Sequence, residues 1–303
     1  MGTFFLCYDK VGGNMENMIG DNFEKSNKYR LYRRVEKIIH PTISKKNISS
    51  YKIVIDEGLL PIRVFYPKKV SNINSFILYL PGDGNVTGCV GEYSRICQDI
   101  SMECNKLVIA IDYFEEKIQF PETLEKCFQT VKYFINELIE LGISKEKIIL
   151  FGDSTGANIL SAMHLKNNER LTEKQVLFYP VVSGEYFGKT QYESIIKNSE
   201  YDLLTVSRVK KYLENYICKE SDLNSEFVCP IKAVDYKKFP RTLIITGDLD
   251  PLRDEGKDFY EKLWKVSKKN KYYNIKFSSH GFLVSKDEEI KNEVYGKVRE
   301  FIK

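Results

Sequence analysis

Lys147-Ile-Ile-Leu-Phe-Gly-Asp-Ser-Thr-Gly-Ala-Asn-Ile-Leu160 is the stretch whose reading decides the fold. Four apolar residues lead without alternation into Gly152-Asp153-Ser154-Thr155-Gly156, and small and apolar residues follow. An unbroken short apolar run reads as a strand buried on both faces, and the segment after it reads as a helix. The G-x-S-x-G spacing between them has a steric cause. A residue at the tip of a very tight strand-to-helix turn sits in strained backbone, and glycines two positions either side let strand and helix pass closely. The helix N-terminus aims backbone N–H groups at that tip, where developing negative charge would be stabilised. The bare pattern is weak; its place between a strand and a helix gives it force. Ser154 is therefore a candidate nucleophile.

A nucleophilic serine needs a base, and the chain has three histidines, at 40, 164 and 280. His164 lies ten residues along the same helix, about 15 Å from Ser154 at the usual rise, and is out of reach. His40, in Ile-His-Pro, reads as a loop residue. His280 remains, in Lys276-Phe-Ser-Ser-His-Gly-Phe282, directly after the last predicted strand. The orienting acid belongs between the two, past the preceding strand. Arg241-Thr-Leu-Ile-Ile-Thr-Gly-Asp-Leu-Asp-Pro-Leu-Arg-Asp-Glu-Gly256 offers Asp248, Asp250 and Asp254. Asp250, extended before Pro251, is in the expected place. Asp248 can instead be structural, and Asp254 can cap the next helix. The order Ser154, Asp250, His280 is the chain order of α/β-hydrolases.

The surrounding sequence fits. Residues 51–55 and 60–66 read as a hairpin across Asp-Glu-Gly. Apolar runs at 76–80, 107–111, 148–151, 176–179 and 243–246 alternate with helical patterns, which predicts βαβ units and a mostly parallel sheet. The helix over 121–141 is the clearest, with Leu124, Cys127, Phe128, Val131, Ile135 and Leu138 on one stripe. Weaker patterns cover 254–266 and 288–302, and 29–39 is an amphipathic helix in a polar N-terminal stretch. Residues 183–225 interrupt the rhythm with Tyr-rich polar sequence, as an inserted lid would.

Composition narrows the function. The 303 residues carry 46 Lys+Arg against 42 Asp+Glu, net +4, with only 10 Arg among the cations. That balance argues against an electrostatic nucleic-acid or membrane binder. The basic run Lys268-Lys269-Asn270-Lys271 reads as a solvated loop rather than a partner site. Seven cysteines (Cys7, Cys89, Cys97, Cys104, Cys127, Cys218 and Cys229) include no C-x-x-C pair, so buried reduced thiols are expected rather than a metal site. No apolar stretch approaches 18 residues and the first residues lack an export signal, so the expected compartment is the reducing cytoplasm.

With these residues in hand, the chain from about Tyr51 onward resembles the hormone-sensitive-lipase-like branch of the α/β-hydrolases, the bacterial acetyl esterases and arylesterases. Gly152-Asp153-Ser154-Thr155-Gly156-Ala157-Asn158 resembles the family's G-D-S-A-G-G-N, and Asp250-Pro251-Leu252-Arg253-Asp254-Glu255-Gly256 matches its acid block throughout. His280-Gly281-Phe282 fits its histidine motif. Asp112-Tyr113 and Phe120-Pro121-Glu122-Thr123-Leu124-Glu125 resemble its D-Y-R-L-A-P-E…F-P-A-A-L-E-D segment, with an altered middle. The resemblance implies an α/β-hydrolase fold with a mostly parallel twisted sheet, flanking helices and a small helical cap. The cap would comprise 1–48 and an insertion at 183–225 within a catalytic domain spanning 49–303, with Tyr186, Phe187, Tyr192 and Tyr201 available to line its pocket.

It also implies a Ser154–Asp250–His280 esterase for small short-acyl substrates, needing no metal or organic cofactor, in which two copies can pair. Backbone N–H groups of Gly82, Asp83 and Thr155 would form the oxyanion hole. Here the chain departs from the family: Tyr79-Leu80-Pro81-Gly82-Asp83-Gly84-Asn85 stands where H-G-G-G is usual. A carboxylate aimed at the oxyanion would oppose catalysis, so Asp83 must point away or activity is weak. A ligand-binding homologue with little turnover, and a peptidase or amidase, are the competing readings.

Overall fold

The computed structural model describes residues 50–53, 58–68, 75–82, 90–113, 118–200 and 204–303. Eight strands form one sheet in the order β1-β2-β4-β3-β5-β6-β7-β8. They are β1 (Ser50–Ile53), β2 (Ile62–Phe65), β3 (Phe76–Leu80), β4 (Leu107–Ile111), β5 (Ile148–Asp153), β6 (Lys174–Phe178), β7 (Arg241–Gly247) and β8 (Lys271–Ile275). β1 pairs antiparallel with β2, and β2 antiparallel with β4. Every pairing from β4 through β8 is parallel. This is the expected mostly parallel α/β sheet, with the expected hairpin at one edge.

The apolar runs fail to alternate because both faces are covered. In β3, Phe76, Leu78 and Leu80 enter one core cluster while Ile77 and Tyr79 enter the other. On the first face lie α2 (Glu122–Glu140), α3 (Ser154–Lys166) and α6 (Arg253–Val266), contributing Val131, Met163 and Phe259. On the second lie α1 (Val90–Cys104) and α7 (Glu288–Ile302), contributing Ile100 and Val298. Between β6 and β7, residues 183–225 hold α4 (Glu193–Lys197) and α5 (Val206–Tyr216), where Thr205 caps α5 by accepting the Arg208 N–H. The expected segment 1–48 and its helix at 29–39 lie outside the described residues, as do His40 and Tyr201. Among the described residues no helix is long and apolar enough to cross a membrane.

Of the cysteines, Cys97, Cys104, Cys127 and Cys229 are buried thiols outside any disulfide, as expected. Cys218 is exposed, which corrects that reading for this position. Its Sγ reaches the carbonyl of Phe120 at 3.1 Å, a surface contact just past α5.

Candidate active site

Parallel strands end on a common edge, and β3, β5, β7 and β8 each deliver part of the site there. β5 ends at Asp153, and α3 begins at the next residue. Ser154 occupies that junction with φ +48°, the left-handed strain that a nucleophile elbow demands. Gly156 is glycine for want of room. A Cβ there would sit 2.1 Å from the Leu80 carbonyl oxygen, because the first turn of α3 lies against the end of β3.

Asp250 follows β7 by three residues and is wholly buried. Its Oδ1 accepts the Leu252 N–H at 2.8 Å, which fixes the carboxylate plane. Its Oδ2 stands 2.9 Å from His280 Nδ1, and His280 Nε2 stands 3.1 Å from Ser154 Oγ. The acceptor-only carboxylate places the ring proton on Nδ1, leaving Nε2 to accept from the serine hydroxyl. His280 lies beyond β8, where Phe277 (φ +54°) and Gly281 (φ +76°) bracket the bend that turns its ring inward. Tyr179 packs on the imidazole, with ring centroids 4.5 Å apart. Ser154 and His280 keep 8% and 9% of their surface exposed, enough to meet a ligand and little enough to exclude bulk water.

The alternatives separate cleanly. Asp248 accepts from Asn274 Nδ2 at 3.2 Å and faces Arg253, tying β8 to α6. Asp254 accepts the Ser194 N–H at 2.7 Å, so it fastens α4 instead of capping its own helix. His164 is buried beside Gln175, its Nε2 2.8 Å from Gln175 Oε1, and burial pushes its pKa down to about 3. It is a neutral packing residue.

The oxyanion loop needs a correction. The Gly82 N–H donates to Asp153 Oδ1 at 2.7 Å, so it is engaged with a carboxylate and does not face an oxyanion. Asp83 lies outside the described residues. Thr155, the third expected donor, stays beside Ser154 in the first turn of α3. Sequence reasoning missed the anchor beneath this loop. Asp153 is buried, and accepts from the Tyr79 hydroxyl and, at 3.4 Å, from that of Tyr179. Burial raises its pKa, while hydrogen bonds from Tyr79 and Gly82 pull it down. The Tyr113 hydroxyl donates to the Pro81 carbonyl at 2.7 Å and holds the loop from its other side.

Tyr186 and Tyr192 face α6. The Tyr186 hydroxyl donates to buried Glu255, which also takes the Val182 N–H at 2.7 Å and the Ser183 hydroxyl at 2.7 Å. The Tyr192 hydroxyl donates to Asp258. Both therefore serve packing of this segment, while Phe187 is exposed.

A family model described as alpha/beta hydrolase fold matches residues 77–284. An arylesterase of Saccharolobus solfataricus is 27% identical over 271 residues, covering 87% of either chain. Vegetative-specific protein H5 of Dictyostelium discoideum is 28% identical over 262 residues, covering 80% of this chain and 76% of its own. Among solved structures, an esterase of Pyrobaculum calidifontis superposes with a TM-score of 0.74 at 24% identity, over 92% of this chain and 93% of that one. That last likeness is one of fold.

Proposed function

Because the chain belongs to the alpha/beta hydrolase fold family, we propose that it is a serine carboxylic-ester hydrolase acting on small, short-acyl esters. The observation that carries the reading is the relay from buried Asp250 through His280 to Ser154, at 2.9 and 3.1 Å. Ser154 Oγ attacks the ester carbonyl carbon as His280 Nε2 takes its proton. The tetrahedral intermediate collapses, His280 returns the proton to the departing alkoxide, and an acyl-serine remains. Water, deprotonated by the same imidazole, then releases the carboxylic acid. Asp250 keeps the ring in the tautomer that can accept and stabilises the imidazolium between the steps. The Thr155 N–H at the helix N-terminus supports the oxyanion, with the Asp83 N–H as its partner.

Residues 183–225 serve as the cap in this reading, docked through Glu255, Asp254 and Asp258. The arylesterase relative supports an ester substrate. Reduced thiols at the five described cysteines support a reducing compartment such as the cytoplasm. The family resemblance supports pairing of two copies.

Purified protein should hydrolyse p-nitrophenyl acetate, and Ser154→Ala should lose about 10⁵–10⁶ in kcat with unchanged melting. Turnover that survives this substitution would sink the proposal. One observation favours a second reading, a ligand-binding homologue with little turnover: the engaged Gly82 N–H leaves fewer donors for an oxyanion. Covalent labelling of Ser154 by a fluorophosphonate would favour the enzyme, and the absence of both labelling and ester turnover would favour that second reading.

A further inference from the structure

The opposite, amino-terminal edge of the sheet borders a cleft of about 670 Å³, within the range of small-molecule sites. Seven of its seventeen lining residues are Lys or Arg and two are Glu. The whole chain is nearly balanced, 46 against 42, so this imbalance is local. With Lys303 set aside, six cations still face two carboxylates.

Strand register explains the crowding. Phe76 pairs with both Leu107 and Ile148, so Lys106, Ser75 and Lys147, one position earlier, lie abreast. Lys174 at the start of β6 pairs directly with Arg241 at the start of β7. Neighbouring strands stand about 4.8 Å apart, and like charges directly opposite destabilise a sheet. Glu173 answers Arg170 at 3.5 Å. Arg241 lies over the Phe301 ring at 4.5 Å, and Lys174 donates to the Ile302 carbonyl at 3.2 Å. Among the described residues no carboxylate lies within ion-pair distance of Lys106, Lys147, Lys174 or Arg241. Partial burial, and then the charges of Lys147 and Lys174, hold the Lys106 ammonium below the usual lysine range. Lys174 is lowered by burial and then by Arg241. Lys269, in the run that reads from sequence as a solvated loop, joins this lining.

We infer that this cleft binds a small molecule carrying a chain of two or more phosphates. A cluster of seven cations against two carboxylates, one of them taken by Arg170, suits a linear multivalent oxyanion, and Lys serves phosphate as a point charge. The proposal is independent of the esterase reading, since no residue of the Ser154 site takes part.

Calorimetric titration of the full chain with inorganic tripolyphosphate tests it. Saturable one-site binding is expected at low salt, weakening steeply as salt is raised. Lys106→Gln/Lys147→Gln should weaken it at least about tenfold, and the exposed Lys147→Gln alone about threefold. Lys189→Gln/Lys286→Gln, the same charge change elsewhere on the surface, should leave it within about twofold. Orthophosphate should bind at least about tenfold more weakly. Once tripolyphosphate is seen to saturate, a parallel titration with adenosine triphosphate separates a bare phosphate chain from a nucleotide, and the tighter ligand names the source. Absence of saturable tripolyphosphate binding would overturn the inference, as would equal affinity for orthophosphate or equal losses in both double variants.

Discussion

The two edges of one sheet treat charge in opposite ways. At the carboxyl edge three carboxyl groups are buried and answered from within the chain: Asp250 by Leu252 and His280, Asp153 by Gly82 and two tyrosines, Glu255 by Val182, Ser183 and Tyr186. At the amino edge cations outnumber carboxylates in an open cleft: Glu173 answers Arg170, a carbonyl answers Lys174 and a ring lies under Arg241. Buried ions must be satisfied during folding, whereas partly solvated ones can wait for a counter-ion from solution. The first arrangement is preorganised for chemistry, and the second for exchange with a ligand.

The sharpest way to break the contrast is Asp250→Asn, which keeps the shape but removes the acceptor that fixes the imidazole tautomer. It should cost about 10⁴ in kcat with little change in melting. A loss below tenfold would mean that the relay does not operate.

Glu255 comes next. Burial raises its pKa to about 7 from 4.5, against hydrogen bonds led by that of Tyr186. The folded chain therefore holds a proton that the unfolded chain has released. The stabilisation is complete below about 4.5 and is lost as pH rises through about 7, on the order of 3 kcal/mol. Buried His164, lowered to about 3, acts in the other direction: its contribution is present above about 6.5 and is lost as pH falls. Urea unfolding at pH 5 and 8 should show the wild type losing more stability across that interval than Glu255→Gln. Parallel profiles would contradict the pH role assigned to Glu255.

Tyr79→Phe should have a smaller effect. Removing one donor from buried Asp153 should cost about 1–3 kcal/mol of stability and slow ester turnover about tenfold as the Gly82 anchor loosens. Melting and kcat measured on one preparation would check both. Smallest is the response of the amino edge to salt. Raising NaCl from 50 to 500 mM should raise the wild-type melting temperature by about 1–2 °C as the lysines are screened, and Lys106→Gln/Lys147→Gln should respond less.

The sequence is legible where its signals are local. The unbroken apolar runs of β3, β4 and β5 follow from burial on two faces, and Ser154, Asp250 and His280 each sit a few residues past a strand end. The 15-residue α1 passes unrecognised because its inward stripe is Tyr93, Ile96, Cys97, Ile100 and Cys104, and cysteine is a quiet hydrophobic marker. Asp153 is visible in its motif, but its partner Tyr79 lies 74 residues away and no spacing announces the bond. The bond made by Gly82 is hidden for the same reason. Its donor faces a carboxylate brought close only when β3 and β5 pair. The cations of the amino edge are scattered through the chain from Lys106 to Lys303, and only the strand register gathers them.

The positive φ at Ser154 also separates two ways of removing its hydroxyl. A side chain in that conformation costs about 1–2 kcal/mol that glycine would not incur. Ser154→Gly should therefore be more stable than Ser154→Ala, although both lack the hydroxyl. The junction of β5 and α3 holds a non-glycine residue against its own backbone preference, at a cost that the packing around it must offset.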